Sequence, residues 1–377
     1  MQHGVKRISL SEQARKEKIQ RDKLKIANYR ALCKDLLDKK DKDVRDIATL
    51  QATTDLLLKN PEFYTIWNYR RDIIVALVDA EKIKKKDTLE DDLKLIVALL
   101  KRYPKCYWIW NHRIWCLDQL QQTREANWNV ELAIVSKFLD LDSRNYHCWQ
   151  YRRFVINNME EDTLLESSES SNLGQKEARA LLRINIEEYK FTTSKINKNI
   201  SNFSAWHNRT KLIPKIYDLF GELDTTNDHA DVRHVFARPQ TILQHELELV
   251  KTGMFMDSDD TSIWLYLQWL LTNPFFVDDL RKVSPTCYLD VLNAQLAIVE
   301  ELNELEREDH PKGWDHRWCL RCILLIKSLI REETSEIGAL DDMSRKMLQS
   351  LTEIDPLRKC RYLDQLEGTG TLSSLAF

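Results

Sequence analysis

Apolar residues recur at helical spacing through most of the chain. Leu93, Ile96, Val97 and Leu100 stand at i, i+3, i+4 and i+7, and Leu132, Val135 and Leu139 mark a similar stripe further on. Each stripe runs into a short connector holding Pro or Asp and Ser, residues that favour a helix start. A second apolar stretch carrying a Trp then follows. The pattern predicts helix–connector–helix hairpins over residues 41–377, read as a single domain of about six to seven hairpins. Residues 1–40 are highly charged, and Leu24, Leu32 and Leu36 are spaced for a marginal helix there. Residues 160–174 are acidic and Ser-rich and read as a solvated loop; residues 222–239 read as a second surface insertion. Ile354-Asp355-Pro356-Leu357 opens what looks like a decayed terminal copy.

The tryptophans set the period. Trp67-Asn68-Tyr69-Arg70, Trp110-Asn111-His112-Arg113, Trp149-Gln150-Tyr151-Arg152 and Trp206-His207-Asn208-Arg209 all fit W-x-x-R. Trp264-Leu265-Tyr266-Leu267 lacks the Arg, and Trp314-Asp315-His316-Arg317 keeps it. Tyr64, Tyr107, Tyr146 and Phe203 each lie three residues before their Trp. Helix pairs repeated this often bury their apolar faces against one another, so the expected fold is all-α, a right-handed α-solenoid or crescent. Trp and Arg three apart share a helix face. The tryptophans are therefore expected in the stack, with each Arg stem beside an indole and its head on a polar partner of a neighbouring hairpin.

Composition narrows the function. Only 8 of 377 residues are Gly, and no Gly-rich phosphate loop is present, which argues against a nucleotide-binding α/β design. A net charge of −3 argues against nucleic acid as a partner. No apolar run is long enough for a transmembrane segment. The 8 cysteines are scattered among apolar helical runs, as reduced thiols of a cytoplasmic protein would be. His316, Cys319 and Cys322 fall three apart on one helix face, a spacing that closes a tetrahedral metal site poorly, so no metal is expected in this chain. Lys82, Lys84, Lys85 and Lys86 read as a solvated turn between helices.

The W-x-x-R array resembles the protein prenyltransferase α-subunit repeat over about residues 45–366. The segments around Asn127-Trp128, Ser143–Phe154, Ile200–His207 and His245–Val250 are most similar to the type II, Rab-directed geranylgeranyltransferase α subunits, in their compact fungal-type form. The resemblance implies a heterodimer. A β subunit would supply zinc and the isoprenoid pocket. The substrates would be geranylgeranyl diphosphate and a Rab GTPase, the latter presented by a Rab escort protein. It implies a role for Lys105, five residues before Trp110, as the cation facing the diphosphate. It places Tyr107, Asn145, Tyr146 and His147 along the same diphosphate or acceptor cleft. Cys106 stands where the family commonly has a small polar residue. His3 is read as part of a frayed terminus, with an approach to the partner's active site as the alternative. Two alternatives remain open: the α subunit shared by farnesyltransferase and type I geranylgeranyltransferase, acting on CaaX proteins, and a non-catalytic helical scaffold that binds peptides.

Overall fold

The computed structural model describes residues 11–167, 173–223, 229–335 and 340–370, and among them the regular structure is entirely helical. His3 lies outside these residues, as does part of each surface insertion. The chain divides into two compact units. One comprises the chain up to Leu139 with Asn145–Val155; the other comprises Asp140–Arg144 with the chain from Ile156 onward.

The first unit begins with α1 (Glu12–Asp41), a long charged helix started by Ser11, whose side chain accepts the Ala14 N–H. Leu36 is its buried anchor, and Tyr29 accepts a 2.6 Å hydrogen bond from Asn60. Helices α2 (Ile47–Lys59) with α3 (Tyr64–Asp79), α4 (Lys85–Leu100) with α5 (Tyr107–Gln121), and α6 (Trp128–Leu141) with the start of α7 (Tyr146–Ser167) form the successive hairpins. Trp67, Trp110 and Trp149 are at most 4% exposed, and each lies in the first turns of the buried face of its second helix, just after Ile66, Ile109 and Cys148. The indole N–H of Trp67 donates to the Pro61 carbonyl at 2.8 Å and that of Trp110 to the Pro104 carbonyl at 3.0 Å. The polar edge of a buried indole is thereby satisfied within its own connector.

In the first unit Arg70 and Arg113 each bridge to the next hairpin. Arg70 on α3 donates to both carboxylate oxygens of Asp92 on α4, at 2.9 and 2.5 Å. Arg113 on α5 does the same to Glu131 on α6, both at 2.7 Å. The second helix of the receiving hairpin adds a third donor to the same carboxylate. His112 Nε2 lies 2.7 Å from Asp92, and the Tyr151 hydroxyl lies 2.5 Å from Glu131. A buried carboxylate is tolerable here because paired charge and several donors replace its water.

The second unit repeats the design with more interruptions. Its helices are α8 (Leu173–Lys198), α9 (Phe203–Gly221), α10 (Ala230–Arg233), α11 (Pro239–Met256), α12 (Thr261–Thr272), α13 (Pro274–Val283), α14 (Cys287–Asp309), α15 (Arg317–Glu333), α16 (Asp342–Ile354) and α17 (Lys359–Leu366). Arg209 on α9 grips Glu246 on α11 at 2.7 and 2.8 Å, and Tyr266 on α12 and Tyr189 on α8 donate to the same carboxylate. The acidic stretch expected as a loop from residue 160 instead continues α7 as far as Ser167, and α8 starts at Leu173. Glu160 accounts for part of this: it accepts from Asn185 and Lys215 at 2.7 and 2.6 Å, so one acid of the stretch is bound rather than solvated.

One repeat position is corrected. Trp314 and Arg317 do not occupy the stack: Trp314 is 40% exposed and precedes α15, and Arg317 pairs at the surface with Asp259. Trp318 takes the buried place, 2% exposed, parallel to Trp264 with ring centroids 6.4 Å apart. Arg321 is buried with its guanidinium 4.2 Å from the Trp318 ring centroid. Trp318-Cys319-Leu320-Arg321 is also a W-x-x-R, four residues later. Gly313, at a φ of 62°, holds left-handed backbone just before Trp314, so the helix cannot start early enough to seat that residue.

Candidate functional site

The connector between α4 and α5 is a tight turn. Tyr103 N–H donates to the Leu99 carbonyl and Cys106 N–H to the Tyr103 carbonyl, which brings Pro104, Lys105 and Cys106 round to the start of α5. Lys105 is exposed at its apex, and Cys106 beneath it is 3% exposed. The Cys106 thiol donates to the Pro61 carbonyl at 3.4 Å. Burial pushes that thiol up to about 11, so it is a packed donor rather than a nucleophile.

The start of α7 closes on this turn. His147 hydrogen-bonds the backbone of Lys105. Its ring meets Tyr107 edge-on at 4.3 Å and Tyr146 at 5.5 Å. Burial lowers the imidazole's pKa and the Lys105 cation adds to this, opposed by the Lys105 backbone and by the charge of Glu62. Tyr107 is 63% exposed and Tyr146 59%, so both present aromatic surface beside the lysine. Lys105, Tyr107, Tyr146 and His147 thus share one exposed patch: a cation flanked by two phenols and an imidazole. Such a set can bind and orient an anionic oxygen cluster.

Asn145 differs from its expected place as a cleft contact. It is 2% exposed, and both ends of its amide are engaged within the protein. Nδ2 donates to the Pro104 carbonyl at 3.3 Å, while Oδ1 accepts the backbone N–H groups of His147 and Cys148 at 3.0 and 3.3 Å.

Two features went unread in the sequence. Glu62 acts electrostatically on both His147 and Cys106, and it stands in the first hairpin at the repeat position that Lys105 fills in the second. The acid partners Asp92, Glu131 and Glu246 each lie 18 residues before the Trp of their own hairpin, a spacing that counting back from the tryptophans would have revealed.

Among the described residues, Asp92, His112 and Cys116 form the one group close enough to hold a metal ion, within 4.8 Å of one another. Their donors are already committed. Arg71 Nε donates to His112 Nδ1 at 3.2 Å, which leaves Nε2 protonated and donating to Asp92. Asp92 also carries Arg70 on both oxygens, and the two guanidiniums repel a cation. Burial pushes His112 down to about 4, outweighing Asp92. Burial alone would raise Asp92, but Arg70 and His112 bring it to about 2. The group is a structural cluster. The thiols of Cys319 and Cys322 are likewise raised by burial, Cys322 to about 12.

The family model described as the protein prenyltransferase alpha subunit repeat matches five segments: residues 48–77, 89–120, 128–159, 186–216 and 243–274. The geranylgeranyl transferase type-2 subunit alpha of Candida albicans is 42% identical, covering 99% of both chains. The chain belongs to this α-subunit family. The protein of the same description from Saccharomyces cerevisiae is 34% identical, covering 97% of this chain and 99% of that one. A solved structure described as Candida albicans protein geranylgeranyltransferase-I complexed with GGPP shares the fold, with a TM-score of 0.58 at 18% identity and 91% of each chain covered. The five family segments end at residue 274, before the position where the Trp register shifts to Trp318.

Proposed function

We propose that this chain is the α subunit of a heterodimeric Rab geranylgeranyltransferase. The enzyme moves the geranylgeranyl group from geranylgeranyl diphosphate to C-terminal cysteines of Rab GTPases. The observation that carries this reading is 42% identity over essentially the full length of a type-2 α subunit. The type-2 α subunits matched over nearly the whole chain, at 42% and 34% identity, favour this reading over the CaaX-directed α subunit and the peptide scaffold. No helix among the described residues is long and apolar enough to cross a membrane.

In this reading the β subunit holds zinc and the isoprenoid, and an escort protein presents the Rab. The zinc, when bound there, favours the thiolate form of the acceptor cysteine. This chain's part is at the leaving group. As the bond between C1 and oxygen breaks, the diphosphate gains negative charge, and the Lys105 ammonium is a preorganised point charge for it. Tyr107, Tyr146 and His147 surround that cation and are placed to orient the diphosphate or the acceptor peptide.

The test is prenyl transfer by the chain coexpressed with a type-2 β subunit, offered labelled geranylgeranyl diphosphate with a double-cysteine Rab plus escort protein, or with a CaaX protein. Label on the Rab that requires the escort is the expected result; label on the CaaX protein alone overturns it. Lys105→Ala is expected to assemble normally and to lose ~10²-fold in turnover. Wild-type turnover would remove Lys105 from the mechanism.

A further inference from the structure

We infer that Asn145 is a positioning residue for Lys105, setting the direction of the lysine side chain without touching substrate. The inference rests on the role of Lys105 proposed above. A side chain leaves its Cα in a direction fixed by the two peptide planes on either side. Both planes around Lys105 are held from outside the turn. The preceding one contains the Pro104 carbonyl, which spends its two lone pairs on the Trp110 indole N–H at 3.0 Å and the Asn145 amide at 3.3 Å. The following one is held by His147, which hydrogen-bonds the Lys105 backbone. Pro104 restricts its own φ, and the Cys106 thiol ties the next residue to the Pro61 carbonyl.

Asn145 is the hub of this arrangement. Its Oδ1 starts α7 by accepting the N–H groups of His147 and Cys148, so the same side chain that fixes the plane before Lys105 also seats the imidazole that fixes the plane after it. The second unit shows the latch as a general device. Asn202 donates to the Ser143 carbonyl at 2.9 Å and accepts from the Ala205 N–H at 3.3 Å. The turn latched by Asn202 carries Arg144 and the one latched by Asn145 carries Lys105; with Lys105 as the cation for the diphosphate, the packing device becomes an aiming device. An ångström of misplacement at a charge-stabilising group is enough to cost up to ~10²-fold in rate.

Asn145→Asp isolates the effect. It keeps an oxygen for the N–H groups of α7 and replaces the amide donor with an oxygen facing the Pro104 carbonyl. The experiment measures kcat and KM for transfer to the escort-bound Rab, with heterodimer yield and Tm, for Asn145→Asp, Lys105→Ala and the double variant. Asn145→Asp is expected to lower kcat about tenfold with KM for the Rab complex changed less than about twofold, and to cost nothing further when Lys105 is already Ala. An equal loss in both backgrounds, or an unchanged kcat, overturns the inference. If Lys105→Ala is itself silent, the proposed lysine role fails first and the inference falls with it, a result distinct from additive losses. Should Asn145→Asp not assemble, Cys106→Ser and Cys106→Val serve: Ser keeps a donor for the Pro61 carbonyl and retains kcat, whereas Val lowers it about threefold only while Lys105 is present. Equal behaviour of Ser and Val overturns the inference as well.

Discussion

Asp92 and Glu246 are both buried carboxylates gripped by an Arg from the preceding hairpin, yet their remaining partners differ. In the first unit the third partner of Asp92 is His112, an imidazole that burial keeps neutral down to about 4. In the second unit Glu246 is held by Arg209 with two phenols, Tyr189 and Tyr266. Burial and the Glu246 charge push the Tyr266 phenol well above its usual range, and burial's upward effect on Glu246 is outweighed by Arg209, so this cluster keeps one protonation state at any ordinary pH. The same geometric requirement, a fully paired buried charge between hairpins, is met with a titrating ring at Asp92 and with phenols at Glu131 and Glu246.

The largest expected effect comes from breaking the second cluster. Arg209→Met leaves Glu246 at 0% exposure without its cation, and the expected loss is ~3–5 kcal/mol by urea unfolding. Adding Glu246→Gln should restore part of that. A variant as stable as wild type would show that the cluster does not hold the unit. Next comes the Trp register. Trp318→Ala should cost ~3–5 kcal/mol as a buried aromatic loss, whereas Trp314→Ala should cost no more than ~0.5 kcal/mol. Comparable losses at the two positions would reverse the correction made above.

The contrast sharpens most with pH. The folded chain keeps His112 neutral down to about 4, while the unfolded chain takes up that proton near 6.5. The unfolded state therefore binds more protons between these values, and stability falls as pH drops through that window, by roughly 3 kcal/mol from this residue. Asp92 loses stability in the same direction, but lower, between 3.8 and about 2. His112→Gln should flatten the stability profile between pH 6.5 and 4.5 relative to wild type, even if it is less stable at pH 7. Parallel profiles would show that His112 is not the titrating group. The smallest effect lies in the turns of the first unit. Glu81 and Arg124 both adopt a φ of 55°, each just after a helix end, where Gly is favoured. Glu81→Gly should raise stability by ~0.5–1 kcal/mol, seen as a higher Tm; a lower Tm would mean that the side chain's own contacts outweigh the strain.

Much of this was legible because a repeat states its own frame. Five tryptophans in phase located the hairpins, and the Arg three residues on indicated a neighbouring polar partner. The sixth copy was misread because two W-x-x-R motifs stand end to end within eight residues. Composition does not separate Trp314 from Trp318, but Gly313 immediately before Trp314 does once the helix start is considered. The site was legible in its residue types and misjudged at Asn145, since a polar residue beside a lysine looks the same on paper whether it faces a ligand or the backbone.

By itself the sequence determined the helical period and the phase of the tryptophans from Trp67 to Trp264, because side-chain periodicity and spacing are local properties. Tertiary structure alone decided which carboxylate each Arg would meet, which Trp would be buried and which end of Asn145 would hold the Pro104 carbonyl. Those outcomes depend on surfaces brought together from residues 20 to 60 positions apart, where each buried polar atom must find its partner and the fit of the hairpins selects which one is within reach.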